Sequence, residues 1–129
     1  MLVSGQGRVL AEDRNRVGGG DLTRHPEFEL ARWAAANMTP EERSAATVFT
    51  SGEHCPMCSA AHAWVGLGRI VYVASSAQLT EWLAELGVPP SPVRALRIQE
   101  VAPGVTVEGP VPELASRVRE LHGRFHQPR

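Results

Sequence analysis

The order of apolar and polar positions switches repeatedly between a strand period and a helix period. Met1-Leu2-Val3, Ser4-Gly5-Gln6-Gly7 and Arg8 to Ala11 read as the tail of one strand, a glycine-rich turn and a second strand. From Pro26 to Met38 the apolar residues Leu30, Trp33, Ala34 and Met38 recur at helical spacing, and Thr39-Pro40 ends that run. Thr39 and Glu42 have capping-box spacing for a short extra turn. Ala46 to Ser51 is then a compact β-branched and aromatic run, expected as a buried strand. A helix is predicted from Pro56 to about Leu67, a strand from Arg69 to Ala74, and a helix marked by Leu79, Trp82, Leu83 and Leu86 that stops at Gly87. Pro89-Pro90-Ser91-Pro92 is a stiff connector, Val93 to Ile98 a further strand, and Leu114, Val118, Leu121 and Phe125 stripe a last helix opened by Pro112. Alternation of strands with helices predicts an α/β domain, a central sheet with helices on its faces. No internal repeat or low-complexity tract interrupts it.

Composition narrows the class. With 129 residues and 43% hydrophobic content the chain is long enough for one core and too short for two, so a single domain over 1–129 is expected. Thirteen basic against 14 acidic side chains give a net charge of −1, which supplies no general attraction for phosphate backbones. A compact substrate fits this balance better than a long nucleic acid, and nucleic acid is not the expected partner. No apolar run approaches the roughly 20 residues of a membrane span, and the N-terminus has no basic start followed by an apolar stretch, so a cytoplasmic protein is expected.

The only two cysteines, Cys55 and Cys58, lie too close in sequence for a fold-stapling disulfide and suit metal ligation or redox chemistry. Cys55-Pro56-Met57-Cys58 and His25-Pro26-Glu27 each place proline at an expected first helical position, so both clusters fall at helix N-termini, where the dipole favours thiolates. Cys55 and Cys58 share one helical face, and His25 can add a nitrogen from the neighbouring helix. Three protein ligands leave the fourth position of a tetrahedral zinc open, the arrangement of a catalytic site. Glu27 is the expected general acid and base, taking a proton from water and returning it to a ring nitrogen and a departing amine. A lone CxxC is equally a redox pair or half of a structural zinc knuckle. A redox pair has no use for HxE upstream, and a structural site needs a fourth ligand. His62 is the nearest candidate, but its Cα lies about 6 Å further along the helix axis, so it reads as a pocket or core histidine.

HxE followed by CPxC resembles the cytidine deaminase superfamily, in particular its branch of guanine, cytosine and tRNA adenosine deaminases, over Val3 to about Leu86. The resemblance implies a three-layer α/β/α sandwich around a mixed sheet, one Zn2+ per chain on His25, Cys55 and Cys58, and Glu27 as proton shuttle. It implies hydrolytic deamination of a free nucleobase or nucleoside. The alternatives are editing of a base in tRNA and a catalytically silent zinc-binding interaction domain. Asn15 falls where an asparagine in relatives reaches the substrate, though it could instead cap a turn. His54 replaces the proline that relatives carry before the first cysteine, beside a carbonyl that can accept from the substrate amine. Trp64 matches a tryptophan of guanine deaminases; with Ala60 and Leu67 it also forms a plain core stripe. Trp33 and Trp82 are expected in the core, and Glu29 as a solvated carboxylate. His122 and His126 lie in a tail that in relatives closes over the pocket and otherwise frays. Relatives begin with a helix and a full first strand, of which only Met1 to Val3 are present here; either the chain starts further upstream or a sheet face is left uncovered, and an uncovered face predicts a homodimer.

Overall fold

The structure is a computed structural model and describes residues 1–126. Five strands form one mixed sheet in the order β2-β1-β3-β4-β5. β1 (Leu2–Val3) runs antiparallel to β2 (Val9–Ala11) and to β3 (Thr47–Gly52), whereas β3, β4 (Arg69–Ala74) and β5 (Val107–Glu108) are parallel. The first hairpin closes as its glycines predict: Ser4 N–H donates to Arg8 O at 2.8 Å, and Gly7 takes φ 84°, a left-handed conformation that glycine adopts without strain.

Six helices join the strands: α1 (Pro26–Asn37), α2 (Pro40–Ala45), α3 (Pro56–Trp64), α4 (Ser76–Glu85), α5 (Ile98–Val101) and α6 (Pro112–Phe125). Proline opens α1, α2, α3 and α6, and the reciprocal Thr39–Glu42 capping box forms as its spacing predicts. Leu30, Ala31 and Ala34 of α1 pack with Leu2, Val48 and Leu67 in one core cluster, and Ile70 and Tyr72 of β4 pack with Ile98 in a second. A third joins Ala74, Trp82, Ala115 and Val118, with Val73 against it. Because strand side chains alternate between faces, Ile70 and Tyr72 share one side of β4 and Val71 and Val73 the other. The fold is thus the expected α/β architecture, with a mixed sheet between helices.

Two expectations fail. Val93 to Ile98 is not a strand: the Glu100 carboxylate accepts from the Arg97 backbone N–H at 3.1 Å and the Glu53 carboxylate from Ile98 N–H at 2.8 Å, which start helix α5 at Ile98. The fifth strand is the short Val107–Glu108 pair instead. Helix α3 also stops sooner than predicted, at Trp64, where Gly66 takes φ 75°. The chain then crosses so close to the start of β3 that a Cβ on Gly68 would lie 2.5 Å from the carbonyl oxygens of Ser44 and Ala46. Only glycine fits there.

Candidate metal centre and cavity

His25 is the N-cap of α1 and Cys55 the N-cap of α3, each followed by proline at the first helical position. Parallel β3 and β4 leave their C-terminal ends beside these helix starts, so the crossover that builds the fold also brings the two motifs together. His25 Nδ1 lies 3.5 Å from Cys55 Sγ and 3.6 Å from Cys58 Sγ, and all three donor atoms lie within 4.8 Å of one another. A tetrahedral zinc with Zn–S of about 2.3 Å and Zn–N of about 2.05 Å sets an N···S edge of about 3.6 Å. Both N···S distances therefore match such an ion. His62, the candidate for a fourth ligand, is outside this group.

The cluster's electrostatics favour anionic sulfur. Cys58 donates its backbone N–H to Cys55 Sγ at 3.4 Å, and hydrogen bonds from Cys58 and His25 bring the Cys55 thiol down to about 4. The same pairing pushes the Cys58 thiol up, since two adjacent sulfurs resist carrying two charges in the absence of a cation. The Cys55 sulfur in turn raises His25.

A cavity of about 470 Å³ opens on this cluster. Glu27, Asn15, Thr50 and Glu53 line it together with His25 and Cys55, and α4 and α6 contribute Leu79 and His122. Asn15 lines the cavity, and its Oδ1 caps a turn by accepting from Val17 N–H at 2.9 Å. Glu27 Oε1 accepts from the Thr50 hydroxyl at 2.6 Å. His122 belongs to an ordered helix whose wall faces the cavity, and it stacks on His126. Glu29 pairs with Arg24 at 3.1 Å, close to the solvated carboxylate expected of it.

Two expected substrate residues are placed elsewhere. Trp64 is 89% exposed and belongs to neither pocket nor core. It follows the buried His62 by two positions, which rotates it about 200° to the outer side of α3. The His54 side chain is buried away from the cavity, edge-on to His62 with ring centroids 5.3 Å apart, and the His54 carbonyl accepts from the Ser59 hydroxyl at 3.3 Å. Trp82 is buried as expected, but Trp33 sits at the core's edge, 37% exposed.

Thr50 and Glu53 escaped the sequence reading. Thr50 lies on β3 where a threonine reads as strand propensity alone. Glu53 is buried and tied to backbone: Oε1 accepts from Ser76 N–H at 2.9 Å and Oε2 from Ile98 N–H at 2.8 Å, the first amides of α4 and α5. A carboxylate just ahead of CxxC was the available signal.

No family model matches the chain. A probable cytosine deaminase of Schizosaccharomyces pombe is 30% identical over 90 residues, which is 70% of this chain and 54% of that protein. The chain resembles the cytidine deaminase superfamily in sequence and in fold. A tRNA-specific adenosine deaminase of Agrobacterium fabrum is 33% identical over 69 residues, 53% of this chain and 45% of that protein. The chain thus spans about half the length of these curated superfamily relatives. A solved structure of an NE0047 mutant in complex with 8-azaguanine shares the fold, with a TM-score of 0.60 and 24% identity over 92% of this chain and 64% of that one. No helix among the described residues is long and apolar enough to cross a membrane.

Proposed function

We propose that this protein is a zinc-dependent hydrolytic deaminase that converts the exocyclic amine of a free nucleobase or nucleoside to a carbonyl, with one ion per chain. The observation that supports this most is the three-atom donor set with both N···S distances at tetrahedral edge length, opening on a cavity that Glu27 also lines. Bound zinc supplies the acidity that makes water a nucleophile near neutral pH. His25, Cys55 and Cys58 would hold it, and three ligands leave a position facing the cavity. Glu27 takes one proton from the attacking water and passes it to the ring nitrogen, then takes the second from the hydroxyl left on the ring carbon and passes it to the departing amine, and so moves between charged and neutral forms twice within one turnover. Water and the aminated ring carbon go in; a carbonyl and ammonia come out. The cavity volume accommodates a base or nucleoside, the class to which the 8-azaguanine held by the structural neighbour belongs.

The deciding experiment measures ammonia release from cytosine, guanine, their nucleosides and a tRNA anticodon stem-loop, by the zinc-loaded protein and by Glu27→Ala. The parent should turn over at least one free base or nucleoside. Glu27→Ala should retain its zinc and lose about 10²–10⁴-fold in kcat, the worth of a general acid and base. Activity confined to the stem-loop would overturn the substrate assignment, and Glu27→Ala within tenfold of the parent at full zinc would overturn the role of Glu27.

A further inference from the structure

The Thr50 hydroxyl stands between two acceptors, Glu27 Oε1 at 2.6 Å and the Gly52 carbonyl oxygen at 3.0 Å. A hydroxyl has one hydrogen to give and lone pairs with which to accept. Its single hydrogen goes to one of them at a time, and the carboxyl oxygen of Glu27 is the nearer acceptor.

We propose that Thr50 is the positioning residue that holds the Glu27 carboxyl group in one rotamer from β3, an inference that rests on the deaminase reading. The two partners differ in stiffness. Thr50 is β-branched, with restricted χ1, and sits on β3 in direct register with Tyr72 of β4, so its hydroxyl is fixed by the sheet. Glu27 has a longer, more freely rotating side chain in the first turn of α1. Among the described residues no hydrogen bond reaches its other oxygen, Oε2, so one oxygen is anchored and the second is left for water and the reacting groups. A hydroxyl that needed only a partner for its own burial would be satisfied by Gly52 O alone. The short approach to Glu27 serves no such need.

The test compares zinc-loaded parent, Thr50→Val, which keeps the shape and the strand preference, and Thr50→Ser, which restores the hydroxyl. Thr50→Val should bind the same amount of zinc, keep KM within about threefold, and lose about 10–100-fold in kcat, since small misplacement of a reacting group costs up to about 10²-fold. Thr50→Ser should return to within about fivefold of the parent. Thr50→Val as active as the parent, or Thr50→Ser as impaired as Thr50→Val, overturns the proposal. Crystal structures of the zinc-loaded parent and Thr50→Val form the second arm: Glu27 should be ordered against residue 50 in the parent and spread over rotamers in the valine variant. Glu27 equally ordered in both overturns the anchor. A parent that deaminates nothing sinks the deaminase reading and the shuttle with it, while this structural arm still decides whether Thr50 anchors Glu27.

Discussion

His25 and His54 both lie against the start of α3, yet their surroundings give the same ring opposite properties. His25 meets two sulfurs at 3.5 and 3.6 Å, lines a cavity, and is raised by its hydrogen bond with Cys55. His54 meets only His62 as a polar ring, neither of its nitrogens has a partner, and burial brings it down to about 3. His62 is lowered by burial as well, although its Nε2 donates to Gly68 O at 2.7 Å. A few ångströms of helix thus separate a cluster poised to hold positive charge from a pair of imidazoles that must stay neutral. What decides is access to counter-charge, and sequence adjacency is a poor guide to it: His54 is next to a ligand and plays the opposite part.

The sharpest way to break this comparison is to remove the sulfurs. Cys55→Ser with Cys58→Ser should abolish stoichiometric zinc and take turnover to background, because His25 alone cannot hold the ion. Elemental analysis finding zinc undiminished in the double variant would place the metal elsewhere.

Acid should act on the buried pair next. An unfolded histidine titrates near 6.5, so as pH falls from about 6.5 toward 3 the unfolded chain takes up a proton that folded His54 refuses. His54's contribution to stability is therefore intact above that window and lost on acidification, by up to about 1.4 kcal/mol per pH unit, or about 2 kcal/mol by pH 5. His54→Leu should show a correspondingly weaker loss between pH 7 and pH 5 in urea unfolding of metal-free protein, where zinc release plays no part. Identical pH dependence in parent and variant would mean that His54 takes up its proton in the folded state.

The smallest effect belongs to Trp64. With its side chain on the outer surface of α3, Trp64→Ala should leave kcat/KM within about twofold, the range of ordinary surface substitutions. A tenfold loss would return it to the substrate site.

Most strands and helices, and the meeting of His25 with Cys55 and Cys58, were legible because each rests on a local rule: proline at a helix start, glycine at a turn, apolar periodicity, ligand spacing. Trp64 was misread because a stripe through Ala60 and Leu67 presumes a helix that continues, whereas α3 ends at Trp64 itself. Val93 to Ile98 was misread because β propensity there competes with two carboxylates, Glu100 and the distant Glu53, that accept from the backbone N–H groups of Arg97 and Ile98. Thr50 and His54 have roles set by what lies across from them in space, 23 residues away in the case of Thr50 and Glu27. No window of sequence contains that pairing.

Glu53 ties two distant stretches of chain to one point. Its buried carboxylate receives the first amides of α4 and α5, helices that begin 22 residues apart, one on each oxygen, so a single side chain just ahead of the CxxC motif fixes where both helices start. Leu79, one turn into α4, is part of the cavity wall. The placement of that wall thus depends on a carboxylate outside the His25, Cys55 and Cys58 cluster.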